Sequence, residues 1–216
     1  MSGKSNAVVG VVNFGAGNLG NVERALRRLD IGHVPLNSPD DMRSPKPSLL
    51  LLPGVGAFPP AMASLVSTGW METLVQWASE GRPLLGICLG MQLLCTLSAE
   101  DGETEGLGLL EGDVNRLSGV KKIPHMGWNE AIPADGENFL ADCIVKPGQN
   151  FYFVHSFAVS DSPHRAAMTT VEDVAFCSAL RRDNVAGFQF HPERSGPEGV
   201  EFLGRAIKKL MKFYRN

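Results

Sequence analysis

Two segments carry residues whose types and spacing suit nucleophilic chemistry: Gly86-Ile87-Cys88-Leu89-Gly90 and, far downstream, Gln189-Phe190-His191-Pro192-Glu193. The first lies between the apolar runs Pro83-Leu84-Leu85 and Met91-Gln92-Leu93-Leu94, so it reads as a strand that turns sharply into a helix with Cys88 at the apex. Glycines at 86 and 90 suit such a turn, because a side chain at either position would crowd backbones that pass close together around a strained central residue. The first N–H groups of the following helix have no intrahelical partners and present partial positive charge to the sulfur.

Thiolate, not thiol, is the nucleophile. A free cysteine of pKa about 8.5 is only roughly 3% ionised at pH 7, and a neighbouring imidazolium or helix terminus lowers such values to about 3.5–7.5. His191 is the candidate imidazolium. Its segment follows Val185-Ala186-Gly187-Phe188 and reads as a strand end, which places residues 189, 191 and 193 on one face and Phe190 and Pro192 on the other. On an extended chain the Cβ atoms of His191 and Glu193 stand roughly 6–7 Å apart, within reach of a glutamate that fixes the imidazole tautomer. Together the two segments read as a cysteine hydrolase. Cys95 falls about two helical turns after Cys88 without flanking glycines, and core packing explains it better. Cys143 and Cys177 have no partner motif.

The elements that must position these groups alternate in the first half of the chain. Residues 7–13 and 48–52 read as buried strands, 19–29 as an amphipathic helix, 60–66 and 71–79 as further helices, and 83–87 as the strand before the elbow. That alternation predicts an α/β fold: a mostly parallel central sheet flanked by helices, with the ligand site beyond the carboxyl ends of the strands. The segments 14–18 and 54–57 end at the same edge as Cys88, so they are candidate walls of one pocket. From Gly112 the reading is strands without helices, at 112–117, 128–132, 150–159, 166–171, 174–181 and 185–191, in antiparallel pairing. A closing amphipathic helix begins at Ser195-Gly196-Pro197. The acidic stretch 99–105 reads as a flexible loop.

The 216 residues, 44% hydrophobic and 20% charged, suit one domain with one substantial core. Four cysteines without a CxxC pair favour reduced thiols, hence a cytoplasmic setting, with neither a metal site nor a disulfide framework. The polar start, Met1 to Asn6, carries no signal sequence, and no apolar stretch is long enough for a bilayer. A net charge of -3 gives no footprint for nucleic acid. The basic cluster Lys208, Lys209, Lys212 and Arg215 reads as a complement to a helix dipole.

With these residues assembled, the chain resembles the class I (triad) glutamine amidotransferases over nearly its whole length. The elbow Gly86–Gln92 and His191-Pro192-Glu193 carry that resemblance. The stretches Phe14–Leu19, Leu52–Phe58, Pro124–Asn129, Phe151–Phe157 and His191–Gly196 narrow it to the glutaminase subunits of imidazole glycerol phosphate synthase. The position expected to hold Asp or Ser before the Phe14-Gly15 turn is Asn13, the one departure from the pattern.

The resemblance implies a single amidotransferase domain over residues 1–216 and a catalytic triad of Cys88, His191 and Glu193. It implies an oxyanion hole from the N–H groups of Val55 and Leu89, with glycines on both sides of Val55 allowing an open and a closed form. It implies a glutamine pocket of Gly54, Gly56, Gln92, His155, Ser156 and Phe157, where a core-packing reading of His155 and Phe157 stands equally. No cofactor is implied. The partner implied is a (β/α)₈ cyclase subunit that receives the ammonia, since no barrel fits in 216 residues. Asn18, Met126 and Trp128 are the candidates for that interface and the ammonia passage, or else are buried. Two alternatives remain at this level: a similar subunit serving a surface-polysaccharide sugar amidotransferase, and a catalytically silent regulatory subunit, against which the intact triad argues.

Overall fold

A computed structural model describes residues 7–213. The segment Met1 to Asn6 and Arg215 of the basic cluster lie outside the described residues. Strand β1 (Val9–Val12), helix α1 (Leu19–Arg28), β2 (His33–Leu36), β3 (Leu49–Gly54), α2 (Phe58–Ser67), α3 (Trp70–Ser79) and β4 (Leu84–Cys88) come first. The elbow helix α4 (Leu89–Leu93) follows, then short strands β5 (Leu97–Ser98), β6 (Thr104–Glu105) and β7 (Asp113–Arg116). Next are β8 (His125–Glu130), β9 (Ile132–Pro133), α5 (Asn138–Ala141), β10 (Asn150–His155) and β11 (Phe157–Val159). The chain ends with β12 (Arg165–Val171), β13 (Val174–Arg182), β14 (Val185–Phe188) and α6 (Gly196–Phe213).

The main sheet has eight strands in the order β2-β1-β3-β4-β14-β13-β12-β9. The run from β2 to β14 is parallel and the remainder antiparallel. β1, β3, β4 and β14 are buried at every residue, which is why each is an apolar run rather than an alternating one. Helices cover both faces. α1 and α6 press Leu26, Leu203 and Ile207 on one side, and α2 and α3 press Phe58, Leu65 and Trp70 on the other. A pair, β8 with β10, and a small sheet β11-β7-β5-β6 complete the fold. Among the described residues no helix is long and apolar enough to cross a membrane.

Five local expectations change. The proposed strand 185–191 stops at Phe188, and His191 caps a 3₁₀ turn, Pro192–Arg194, because Pro192 removes a ladder donor and is suited to the first helical position. The region after Gly112 is not free of helix: it contains α5, whose N-terminus is capped by the Glu137 carboxylate accepting from the Phe139 N–H at 2.6 Å. The proposed strand 150–159 breaks at Ser156 into two strands that belong to different sheets. β2 was not expected, since it contains Pro35, but it is an edge strand, where a missing N–H costs nothing. Finally, within the stretch 99–105 read as a loop, Thr104–Glu105 form β6, with Leu97 opposite Glu105 and Ser98 opposite Thr104, so the loop is confined to 99–103.

Candidate active site

Cys88 ends β4 with φ 56° and ψ −114°, a conformation that costs a non-glycine residue roughly 1–3 kcal/mol. The surroundings enforce it. A Cβ at Gly86 would lie 2.6 Å from the Gly90 carbonyl oxygen, and one at Gly90 would collide with the Leu52 carbonyl oxygen of β3. Both glycines are therefore required by contact between elbow and sheet. α4 is five residues long, so the electrostatic help it offers the sulfur comes from the free N–H groups of its first turn rather than from a long summed dipole.

His191 arrives at the same strand edge by a different route. Phe190 stacks between Phe151 and Phe188, at centroid distances of 4.1 and 5.2 Å, and so fixes the chain immediately before it. The His191 N–H donates to the Tyr152 carbonyl at 2.9 Å. Ser195 Oγ donates to the His191 carbonyl at 2.6 Å and accepts from the Tyr152 N–H at 2.9 Å, tying the turn to β10. Nδ1 of His191 stands 2.8 Å from Glu193 Oε1, with both side chains 4% exposed. The expected contact is therefore made, but by the tight turn rather than by alternation along an extended strand.

Burial opposes charging of the His191 ring, yet the adjoining Cys88 and Glu193 side chains outweigh it and carry the imidazole up to about 10. By distance and angle no closed hydrogen bond joins Nε2 to the sulfur: Nε2 and Glu193 Oε2 are both buried without a partner. The direction of the shift stands on the Glu193 side chain bonded to Nδ1 and on the nearby Cys88 sulfur. The other thiols differ. Cys95, Cys143 and Cys177 are packed in the core; burial pushes Cys143 and Cys177 up to about 12 and Cys95 higher.

Cys88 and His191 line one cavity of about 260 Å³, suited to a small metabolite. Val55, Gly56, His155, Ser156 and Phe157 line it as well. Leu89 and Gln92 of the elbow helix also line it. Burial lowers His155 to about 3, so its ring is neutral; Nδ1–H donates to the Phe157 carbonyl at 2.9 Å. Gln92 Nε2 donates to the same carbonyl at 2.9 Å.

The remaining expected residues lie elsewhere. Segment 14–18 does not line this cavity. Instead, the Ala16 carbonyl accepts the Val55 N–H at 3.3 Å, so this expected oxyanion donor is already engaged. Gly54 packs against the elbow, where a Cβ would meet the Gly90 nitrogen at 2.9 Å, and with Asn18 it borders a narrow crevice behind His191 and Glu193. Met126 and Trp128 project from β8 with 61% and 56% exposure, which rules out burial in the core. Their neighbours in that strand alternate inward, as an antiparallel strand with one covered face requires.

Sequence reasoning missed three residues. Glu100 lines the cavity, and its Oε2 accepts the Phe58 N–H at the start of α2, 2.8 Å away. No local pattern ties Glu100 to a helix 42 residues earlier. His125 and Gln189 stand in segments already singled out, but the packing behind them carries no sequence signal. His125 Nδ1 is 3.0 Å from His155 Nε2, and Gln189 is fully buried beside Cys88.

The chain matches known proteins along nearly all its length. The family glutamine amidotransferase class-I matches residues 10–210. The imidazole glycerol phosphate synthase subunit HisH of Carboxydothermus hydrogenoformans is 45% identical over 194 residues, covering 89% of this chain and 95% of the relative. The subunit of the same name from Desulfitobacterium hafniense is 43% identical over 198 residues, covering 91% and 92%. In three dimensions the chain is similar to PurLQS from Thermotoga maritima, with TM-score 0.71 at 18% identity over 94% of this chain and 98% of the other. A glutamine amidotransferase crystal structure gives TM-score 0.68 at 22% identity over 93% and 100%. At those identities the structures bear on fold alone, and the fold they share is the one described above. An elbow thiol, an imidazole and a carboxylate at one strand edge, within a chain matched from residue 10 to 210, make this protein a member of the class-I glutamine amidotransferases.

Proposed function

We propose that this chain is the glutaminase subunit of an imidazole glycerol phosphate synthase. The observation that carries the chemistry is the convergence of Cys88, His191 and Glu193 at one end of the parallel sheet, with Cys88 and His191 open to the same cavity. The identity of the curated relatives supports the choice of synthase over a sugar amidotransferase, and the intact triad argues against a silent subunit.

In this reading the Cys88 thiolate attacks Cδ of the glutamine side chain, forming a C–S bond and placing negative charge on the amide oxygen. The C–N bond then breaks as His191 Nε2–H gives its proton to the departing nitrogen, leaving ammonia and a γ-glutamyl thioester. Water attacks the thioester, His191 takes its proton, and the C–S bond breaks to return thiolate and release glutamate. Glu193 holds the imidazole through Nδ1 in both halves. Gln92, Ser156 and Phe157 hold the substrate and Glu100 receives its ammonium group, a reading supported by their shared lining of the cavity. Leu89 N–H supplies one oxyanion donor, and Val55 N–H the second once it leaves Ala16.

Free ammonia is largely protonated near pH 7 and useless as a nucleophile, so it must pass directly to an acceptor. The acceptor is a (β/α)₈ cyclase subunit that docks on the exposed face bearing Met126 and Trp128. A cytoplasmic location suits four reduced thiols. The test is reconstitution with that cyclase, its ribonucleotide substrate and glutamine. Glutamate and imidazole glycerol phosphate formed in equal amounts support the assignment; glutamate without imidazole glycerol phosphate refutes it.

A further inference from the structure

Gln189 is the one polar residue of the Gln-Phe-His-Pro-Glu segment that the triad leaves unexplained, and it is completely buried. Its Nε2 points at Cys88 Sγ from 3.9 Å. Its orientation is determined by a chain of bonds with little freedom. Gln92 Nε2 has two protons and faces two acceptors, the Phe157 carbonyl at 2.9 Å and Gln189 Oε1 at 3.0 Å. Turning the Gln189 carboxamide over would set NH₂ against NH₂, so its oxygen must face Gln92 and its N–H must face the sulfur. The Phe157 carbonyl in turn accepts from His155 Nδ1–H, and His155 Nε2 is bridged by His125 to the Asn129 side chain on β8. A continuous relay thus runs from β8 to the Cys88 sulfur, and at its inner end stands an uncharged donor.

We propose that Gln189 is a further catalytic residue, whose side-chain N–H holds the Cys88 thiolate in place, with Gln92 as the positioning residue that aims it. This rests on the reading of Cys88 as the nucleophile. A hydrogen bond to an anion is stronger than one to a neutral thiol, so the contact favours the ionised form and tightens on ionisation. The other titratable groups around the cavity are His191, backed by Glu193, together with His155 and Glu100.

The experiment is the rate of iodoacetamide alkylation of Cys88 as a function of pH, in wild type, Gln189→Met and Gln189→Glu, with Cys88 modification read by mass spectrometry. Loss of one hydrogen bond to a charged group predicts alkylation about tenfold slower near neutral pH in Gln189→Met, with the profile displaced to higher pH, and a larger displacement in Gln189→Glu. A folded Gln189→Met protein with the wild-type profile overturns the proposal. For variants that do not fold, the side-chain amide resonance of Gln189 in wild-type protein decides: it moves when Cys88 is ionised or alkylated, and a resonance indifferent to both overturns the proposal. Failure of the underlying reading looks different, because wild type would then give no Cys88-dependent glutamate whatever Gln189 does.

Discussion

The Val55 N–H donates to the Ala16 carbonyl across 3.3 Å, which engages a group that the proposed chemistry needs free in the cavity. That N–H belongs to the Gly54–Val55 peptide, and Gly54, having no side chain, gives this peptide more rotational freedom than any other residue would. One missing oxyanion donor lowers turnover by about 10²–10³. The isolated chain is therefore expected to release glutamate at least about 10²-fold more slowly than the chain bound to cyclase and ribonucleotide. Equal steady-state turnover with and without partner would remove the gating role from this peptide.

The elbow has no room for a methyl group. Gly90→Ala would drive a Cβ into the Leu52 carbonyl, and Gly86→Ala would set one 2.6 Å from the Gly90 oxygen. Each is expected to cost about 3 kcal/mol or more, or to prevent folding. Urea denaturation checks this, and a stability loss under about 1 kcal/mol would show that the elbow yields more easily than its contacts indicate.

Two buried imidazoles shape the pH dependence of stability in opposite directions. His191 is raised from the ordinary 6.5 to about 10, so its contribution is complete below pH 6.5 and is lost as pH climbs through 10. Burial lowers His155 from 6.5 to about 3, so the folded state loses stability as pH falls from 6.5 toward 3, where only the unfolded chain takes up that proton. Urea midpoints measured across pH should lose the alkaline slope in His191→Gln and part of the acid slope in His155→Gln. Unchanged slopes would contradict both assignments.

Trp128 stands 56% exposed on β8 with its ring edge against Tyr152, 5.9 Å between centroids. An exposed aromatic anchor at the centre of an interface typically carries 2 kcal/mol or more, about 30-fold in Kd. Trp128→Ala should weaken cyclase binding by roughly that factor while changing the stability of the free chain by less than about 0.5 kcal/mol. Calorimetric titration gives the first quantity and urea denaturation the second; unaltered affinity would place the interface elsewhere.

The readable parts of the chain were those with a local cause. Continuous apolar runs marked β1, β3 and β4, because strands covered on both faces need no polar alternation. The elbow was readable from its two glycines, since backbone crowding admits no substitute there. What escaped depends on distant partners. β2 holds Pro35 and is acceptable only because it is an edge; the break at Ser156 reflects two sheets competing for one segment. Glu100 looked like one more acid in a solvated loop, and only the packing of the β5–β6 hairpin against α2 turns it into the cavity. Gln189 and His125 were visible as letters, but their hydrogen-bond partners come from other elements.

The most direct test is glutamate release by Cys88→Ala in the assembled synthase, alongside wild type and with recovery of the γ-glutamyl thioester on Cys88 by acid quenching and mass spectrometry. A thioester on Cys88 in wild type and no catalysed glutamate from the alanine variant is the expected result. Undiminished glutamate from Cys88→Ala would contradict the account.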